Sequence, residues 1–154
     1  MISVGDKAPQ INLKDADGKT VKLSDFKGKR VVLYFYPRDL TPGCTKEACG
    51  FQADAAKIQR KNAVVIGVST DDEKTHQRFR EKYDLSFPLL CDTDHTLAEA
   101  YGVWAEKNMY GRKTMGVKRT TFIIDEQGRV AHIFNKVSVA EHSKDVLAKL
   151  DELS

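Results

Sequence analysis

No apolar run in this chain approaches the ~20 residues that a membrane-crossing helix requires, so nothing in the sequence supports a membrane role. The opening residues, MISVGDKAPQINLKD, lack the basic start and long apolar segment of a secretory signal. A cytoplasmic location is the resulting expectation, in a compartment that keeps thiols reduced. Cysteine is scarce, with three in 154 residues, and nowhere is it spaced Cys-x-x-Cys. There is no internal repeat and no low-complexity linker. Neither sign of charge dominates: the net charge of +3 is too small to argue for nucleic acid.

What remains is an ordinary soluble composition, 41% hydrophobic and 31% charged, at a length that suits one domain spanning residues 1–154. Ile11 and Leu13, then Val21 and Leu23, alternate around ADGK and predict a small N-terminal hairpin. VVLYFY, residues 31–36, and AVVIGVST, residues 63–70, are continuous apolar runs that fit buried strands. Between them Ala48, Phe51, Ala55 and Ile58 form one helical stripe. A right-handed crossover makes these two strands parallel. Residues 73–83 predict a charged helix, FPLL a short strand, residues 96–101 a short helix closed by Gly102. TTFIID and VAHIFN predict a hairpin, and residues 139–152 a last helix. The expected class is α/β, a mixed sheet flanked by helices. From Lys107 to Arg119 there are five basic residues and no acidic one, which predicts a solvated loop.

Two of the three cysteines fall in TPGCTKEACG, residues 41–50, just after the first buried strand. Thr41 suits an N-cap and Pro42 the first helical position. Gly43 has no side chain to obstruct a ligand, and Pro37 fixes the approach of the chain. Cys44 then lies in the first helical turn, where unpaired amides and the helix dipole favour a thiolate. Counting back four from Ala48 places Cys44 on the inward face. Two readings remain open from the residues alone: a pair of small buried hydrophobes, or a reactive thiolate with a shaped pocket beside it.

The string Pro37-x-x-x-Thr41-x-x-Cys44 resembles the active-site motif of the peroxiredoxins. TKEACGF, with Cys49 five residues on, is similar to the Q-type or bacterioferritin-comigratory-protein group. GDKAP, VVLYFYP, FPLL-CD, YGVW and RTTFIID extend the likeness over most of the chain. The resemblance implies a thioredoxin-like fold and reduction of hydrogen peroxide and organic hydroperoxides without a cofactor or metal. It makes Cys44 the peroxidatic cysteine, oxidised to a sulfenic acid, and Cys49 the resolving cysteine that closes a disulfide. Thr41 and Arg119 would bind at the reacting centre, with Glu47 orienting Arg119 or simply solvated. Thioredoxin or a similar dithiol is the expected reductant, and a monomer the expected state.

Rivals are weaker. A thioredoxin-type disulfide reductase would carry Cys-x-x-Cys. A metal site from Cys44, Cys49, Cys91 and His95 is a poor match to common zinc spacings. Cys91 reads as a buried or loop thiol, with an alternative resolving role open. His76, His132 and His142 read as surface or edge residues. Helix geometry adds one constraint. Residues five apart in a regular helix have Cα atoms roughly 9 Å apart, pointing about 140° away from each other. A disulfide needs Cα atoms within about 7 Å, so Cys44 and Cys49 cannot bond until the helix opens.

Overall fold

The computed structural model describes residues 2–153, the Met109 side chain apart. A hairpin of β1 (Asn12–Lys14) and β2 (Thr20–Lys22) leads the chain, followed by a single 3-10 turn at Leu23–Phe26. The main sheet contains β3 (Arg30–Phe35), β4 (Ala63–Ser69), β5 (Leu89–Cys91), β8 (Thr120–Ile124) and β9 (Val130–Phe134), in the order β5-β4-β3-β8-β9. β3, β4 and β5 are parallel, while β8 and β9 run antiparallel. The connections are α1 (Pro42–Ala53), α2 (Ala55–Arg60), α3 (Glu73–Tyr83) and α4 (Thr96–Ala100), with α5 (His142–Glu152) closing the described chain. This is the thioredoxin-like arrangement, a mixed sheet with helices on it and an N-terminal hairpin. Among the described residues no helix is long and apolar enough to cross a membrane.

The continuous apolar run of β3 is explained by burial on both faces. Val31, Leu33 and Phe35 pack with Ile66, Leu97, Ala98 and Phe122 on one side. Val32, Tyr34 and Tyr36 pack with Cys44, Ala48, Phe51, Phe79, Val146 and Leu150 on the other. The sheet is thus covered by α1, α3 and α5 on the face that carries the cysteine helix. Gly67 on β4 lets the Tyr34 ring pack close there: a Cβ at that position would sit 3.0 Å from Tyr34 and Leu89 atoms.

Three expectations need correction. The basic segment is not a solvated loop: β6 (Trp104–Met109) and β7 (Arg112–Val117) pair in register from Trp104↔Val117 to Met109↔Arg112. The stripe from Ala48 to Ile58 is not one helix. The chain breaks at Asp54, whose carboxylate is buried and accepts from Ser143 Oγ at 2.8 Å. Finally, His76 and His142 are buried rather than at the surface. Both lie on inward helical phases, with Phe79 on α3 and with Val146 and Leu150 on α5.

His76 closes a polar network beneath the loop that enters α1. Its Nε2 faces the Leu90 carbonyl at 2.8 Å and its Nδ1 faces Asp39 Oδ2 at 2.5 Å. Both facing atoms are oxygens, and an imidazolium, with hydrogen on both nitrogens, satisfies the two together. Tyr36 donates to Asp39 Oδ1 at 2.5 Å, the Asp39 N–H donates to Asp71 Oδ2 at 2.8 Å, and Ser69 Oγ donates to the same oxygen at 2.6 Å. Burial alone would push His76 down, but Asp39 and its other partners raise it to about 10. Because the folded value lies above the unfolded one, the pair contributes fully below the ordinary histidine value. That contribution is lost as pH rises from there through about 10. His76→Ala leaves Asp39 buried and uncompensated and is expected to cost about 3–5 kcal/mol. Urea unfolding near neutral pH checks it, and a loss below about 1 kcal/mol, the size of an exposed pair, contradicts the assignment.

Candidate active site

The site is assembled where the parallel and antiparallel halves of the sheet meet. β3 ends at Phe35, paired with Thr120 at the start of β8. Arg119, immediately before β8, is therefore carried to the end of β3, where the loop of residues 37–41 turns into α1. Leu40 in that loop takes a left-handed backbone with φ 65°, a strained choice for a side chain of its size. The network of Tyr36, Asp39, Asp71 and His76 ties this turn to the sheet.

α1 starts as expected. Thr41 is its N-cap residue with extended backbone, and Pro42 is the first helical residue. The Thr41 side chain does not cap, however. Its hydroxyl donates to the Arg38 carbonyl at 2.9 Å, which directs the oxygen lone pairs away from that carbonyl. Cys44 is buried, in the first turn of α1, where backbone amides lack helical acceptors. Arg119 Nη2 donates to Cys44 Sγ at 3.3 Å, while its Nη1 donates to Glu47 Oε1 at 2.6 Å. One planar guanidinium thus spans the sulfur and the carboxylate, a geometry a lysine cannot supply. Gly43 lies beside it: a Cβ there would come to 3.4 Å from Arg119 Nη2, about van der Waals contact.

Glu47 is buried and accepts from Arg119 rather than being solvated. Burial raises it to about 7, against the downward pull of Arg119. Pro37, half-buried, stands at the strand exit as expected. Cys49 lies within the same unbroken helix, half-buried, and burial pushes its thiol up. Cys91 ends β5 at the other side of the sheet, with Sγ 3.8 Å from the Asp15 carbonyl. His95 stacks on Trp104 with ring centroids 4.1 Å apart and faces Glu99. Among the described residues, Asp39, Asp71 and His76 cluster, but each has a partner: His76 faces Asp39, and Asp71 accepts from Ser69 Oγ and the Asp39 N–H.

Two residues of the site escape sequence reasoning. His142 brings its Nε2 to 2.8 Å from Thr121 Oγ1 and 3.9 Å from Glu47 Oε2. Its position four residues before Val146 and eight before Leu150 is the signal that marks it as inward. Lys107, on β6, is near enough to Arg119 and Cys44 to sense their charges. Burial lowers it first, then Arg119, against an upward pull from Cys44.

The AhpC/TSA family matches residues 4–133 of the chain. Peroxiredoxin Bcp of Bacillus subtilis (strain 168) is 48% identical over 153 residues, covering 99% of this chain and 98% of that protein. Peroxiredoxin Bcp of Escherichia coli (strain K12) is 42% identical over 151 residues, covering 98% and 97%. Among solved structures, Xanthomonas campestris peroxiredoxin Q superposes with a TM-score of 0.87 at 39% identity, covering 92% of this chain and 90% of that one. Peroxidoxin BcpB of Mycobacterium tuberculosis gives 0.88 at 35% identity, covering 100% and 99%. Matches of this extent, joined to a buried cysteine held by an arginine at a helix start, show that the chain belongs to the AhpC/TSA family and, within it, to the Bcp or Q-type peroxiredoxins, thiol-dependent peroxidases.

Proposed function

We propose that Cys44 is the peroxidatic cysteine and Cys49 the resolving one, in a cycle recycled by thioredoxin or a similar dithiol. The observation that carries this reading is the Arg119 guanidinium shared between Cys44 Sγ at 3.3 Å and Glu47 Oε1 at 2.6 Å. The Cys44 thiolate attacks the terminal peroxide oxygen, the O–O bond breaks, and the sulfur becomes a sulfenic acid while the leaving oxygen takes a proton. Arg119 stabilises the charge as it moves from sulfur to oxygen, and the Thr41 hydroxyl orients the peroxide. The Cys49 thiol then condenses with the sulfenic acid and releases water. A dithiol reduces the resulting disulfide by exchange. The whole chain acts as one catalytic domain, and a cytoplasmic monomer is the working state that goes with this reading. Hydrogen peroxide and organic hydroperoxides are both substrates. Peroxide consumption with NADPH, thioredoxin reductase and thioredoxin tests the cycle, and no consumption above that of the thioredoxin system alone contradicts it.

Resolution requires α1 to open. Both cysteines sit inside Pro42–Ala53, and helix geometry separates Cα atoms five apart by roughly 9 Å. The helix is suited to opening, since Pro42, Gly43 and Gly50 weaken it. Amide hydrogen exchange across residues 42–52 is expected to be slow in the reduced protein and fast in the disulfide form. Equal protection, with the Cys44–Cys49 bond established by mass spectrometry, rules out unwinding.

A further inference from the structure

Glu47 presents an unbalanced pair of oxygens. Oε1 accepts from Arg119, whereas Oε2 is buried with no hydrogen-bond partner among the described residues. His142 Nε2 lies across from it at 3.9 Å, beyond hydrogen-bond range, and pairs instead with Thr121 Oγ1 at 2.8 Å. Around them the packing is apolar and aromatic: the His142 ring is edge-on to Phe51 and Phe134, with centroids 5.4 and 5.1 Å away. An ionised carboxylate with one oxygen facing such surroundings is disfavoured. Protonating Oε2 removes the charge that these surroundings disfavour.

We propose that Glu47 is the proton store of the peroxidatic centre: Oε2, facing His142, holds a proton while Cys44 is a thiolate and releases it as the sulfur becomes a sulfenic acid. The inference rests on the assignment of Cys44 as the nucleophile. Charge explains the exchange. With the thiolate present, Arg119 is balanced by sulfur and Glu47 is neutral. Once the sulfur is a neutral sulfenic acid, Arg119 is balanced by an ionised Glu47. The three groups sum to zero in both states, the condition that burial favours. Atoms balance as well. Thiolate and peroxide give sulfenic acid and an alkoxide or hydroxide, and the proton from Glu47 offsets the one that this anion takes up.

Several ionisable groups among the described residues face Glu47. Arg119, leading into β8, and Cys44, on α1, take part directly, and Lys107, on β6, adds a cation beyond Arg119. Tyr34, on β3, is fully buried, and burial and then Glu47 keep its phenol protonated. On α5, burial and then Arg119 push His142 down to about 4, while Glu47 is raised to about 7. Burial thus favours the neutral form of both groups.

The test uses the full chain carrying Cys49→Ser, so that oxidation stops at the sulfenic acid. Infrared difference spectra between reduced and oxidised protein, just below neutral pH, should show loss of a protonated-carboxyl band. Glu47→Gln, which keeps shape and an acceptor for Arg119, should abolish that band. A pH-indicator dye in weak buffer gives a second readout. With Glu47 present, one equivalent of hydrogen peroxide should draw almost no proton from the buffer. With Glu47→Gln it should draw about one proton per Cys44 oxidised. An absent band, or equal proton uptake with and without Glu47, overturns the proposal. If mass spectrometry finds the added oxygen on a residue other than Cys44, the assignment of the nucleophile fails instead.

Discussion

Replacing Cys44 with serine is expected to reduce peroxide consumption to the rate of the uncatalysed reaction, with the fold intact. A serine hydroxyl has no accessible thiolate-like anion and cannot be oxidised to a sulfenic acid, so neither attack nor the later exchange has a chemical equivalent. The substitution is nearly isosteric at a site of 1% exposure, so the far-ultraviolet spectrum should not change. Cys91→Ser is the comparison. Cys91 ends the edge strand β5, two strands from β3, with its Sγ against the Asp15 carbonyl, and its loss should leave turnover as it was. Turnover retained in Cys44→Ser and lost in Cys91→Ser reverses the assignment.

Arg119→Ala is expected to slow the oxidation of Cys44 by ~10²–10³, the usual effect of deleting one fixed donor to developing charge. Two contacts vanish together, the 3.3 Å donor to Cys44 Sγ and the 2.6 Å pair to Glu47. Glu47 then remains buried without a cation, which further favours its neutral form. Arg119→Lys restores the charge but not the planar fork, so it should recover only part of the loss. Stopped-flow oxidation of Cys44 under single-turnover conditions isolates this step from recycling. A normal rate in Arg119→Ala removes arginine from the chemistry.

How much of the molecule is legible in its sequence depends on the range of each interaction. Strands such as Ala63–Ser69 and the helix Glu73–Tyr83 are legible because local periodicity and burial on both sheet faces specify them. The start of α1 is legible because Thr41, Pro42 and Gly43 are local signals beside Cys44. The position of Arg119 against Cys44, 75 residues away, is not. It depends on the Phe35↔Thr120 register, which no local pattern encodes. Only the family resemblance supplies it. The β6–β7 hairpin is hidden because its strands are polar at most positions and carry little alternation. His76 and His142 read as surface residues because a histidine gives no sign of its partners. Asp39, Leu90 and Thr121 reach them from other elements, and only helical phase hints at their burial.

Where the first oxygen lands decides whether Cys44 is the nucleophile and Cys49 its resolving partner. The wild-type protein and Cys49→Ser are each mixed with one equivalent of hydrogen peroxide, quenched with a sulfenic-acid trap, digested and mapped by mass spectrometry. The expected result is trapped sulfenic acid on Cys44 alone in Cys49→Ser, and a Cys44–Cys49 disulfide in the wild type. Sulfenic acid on Cys49 or Cys91, or a wild-type disulfide that uses Cys91, contradicts this assignment.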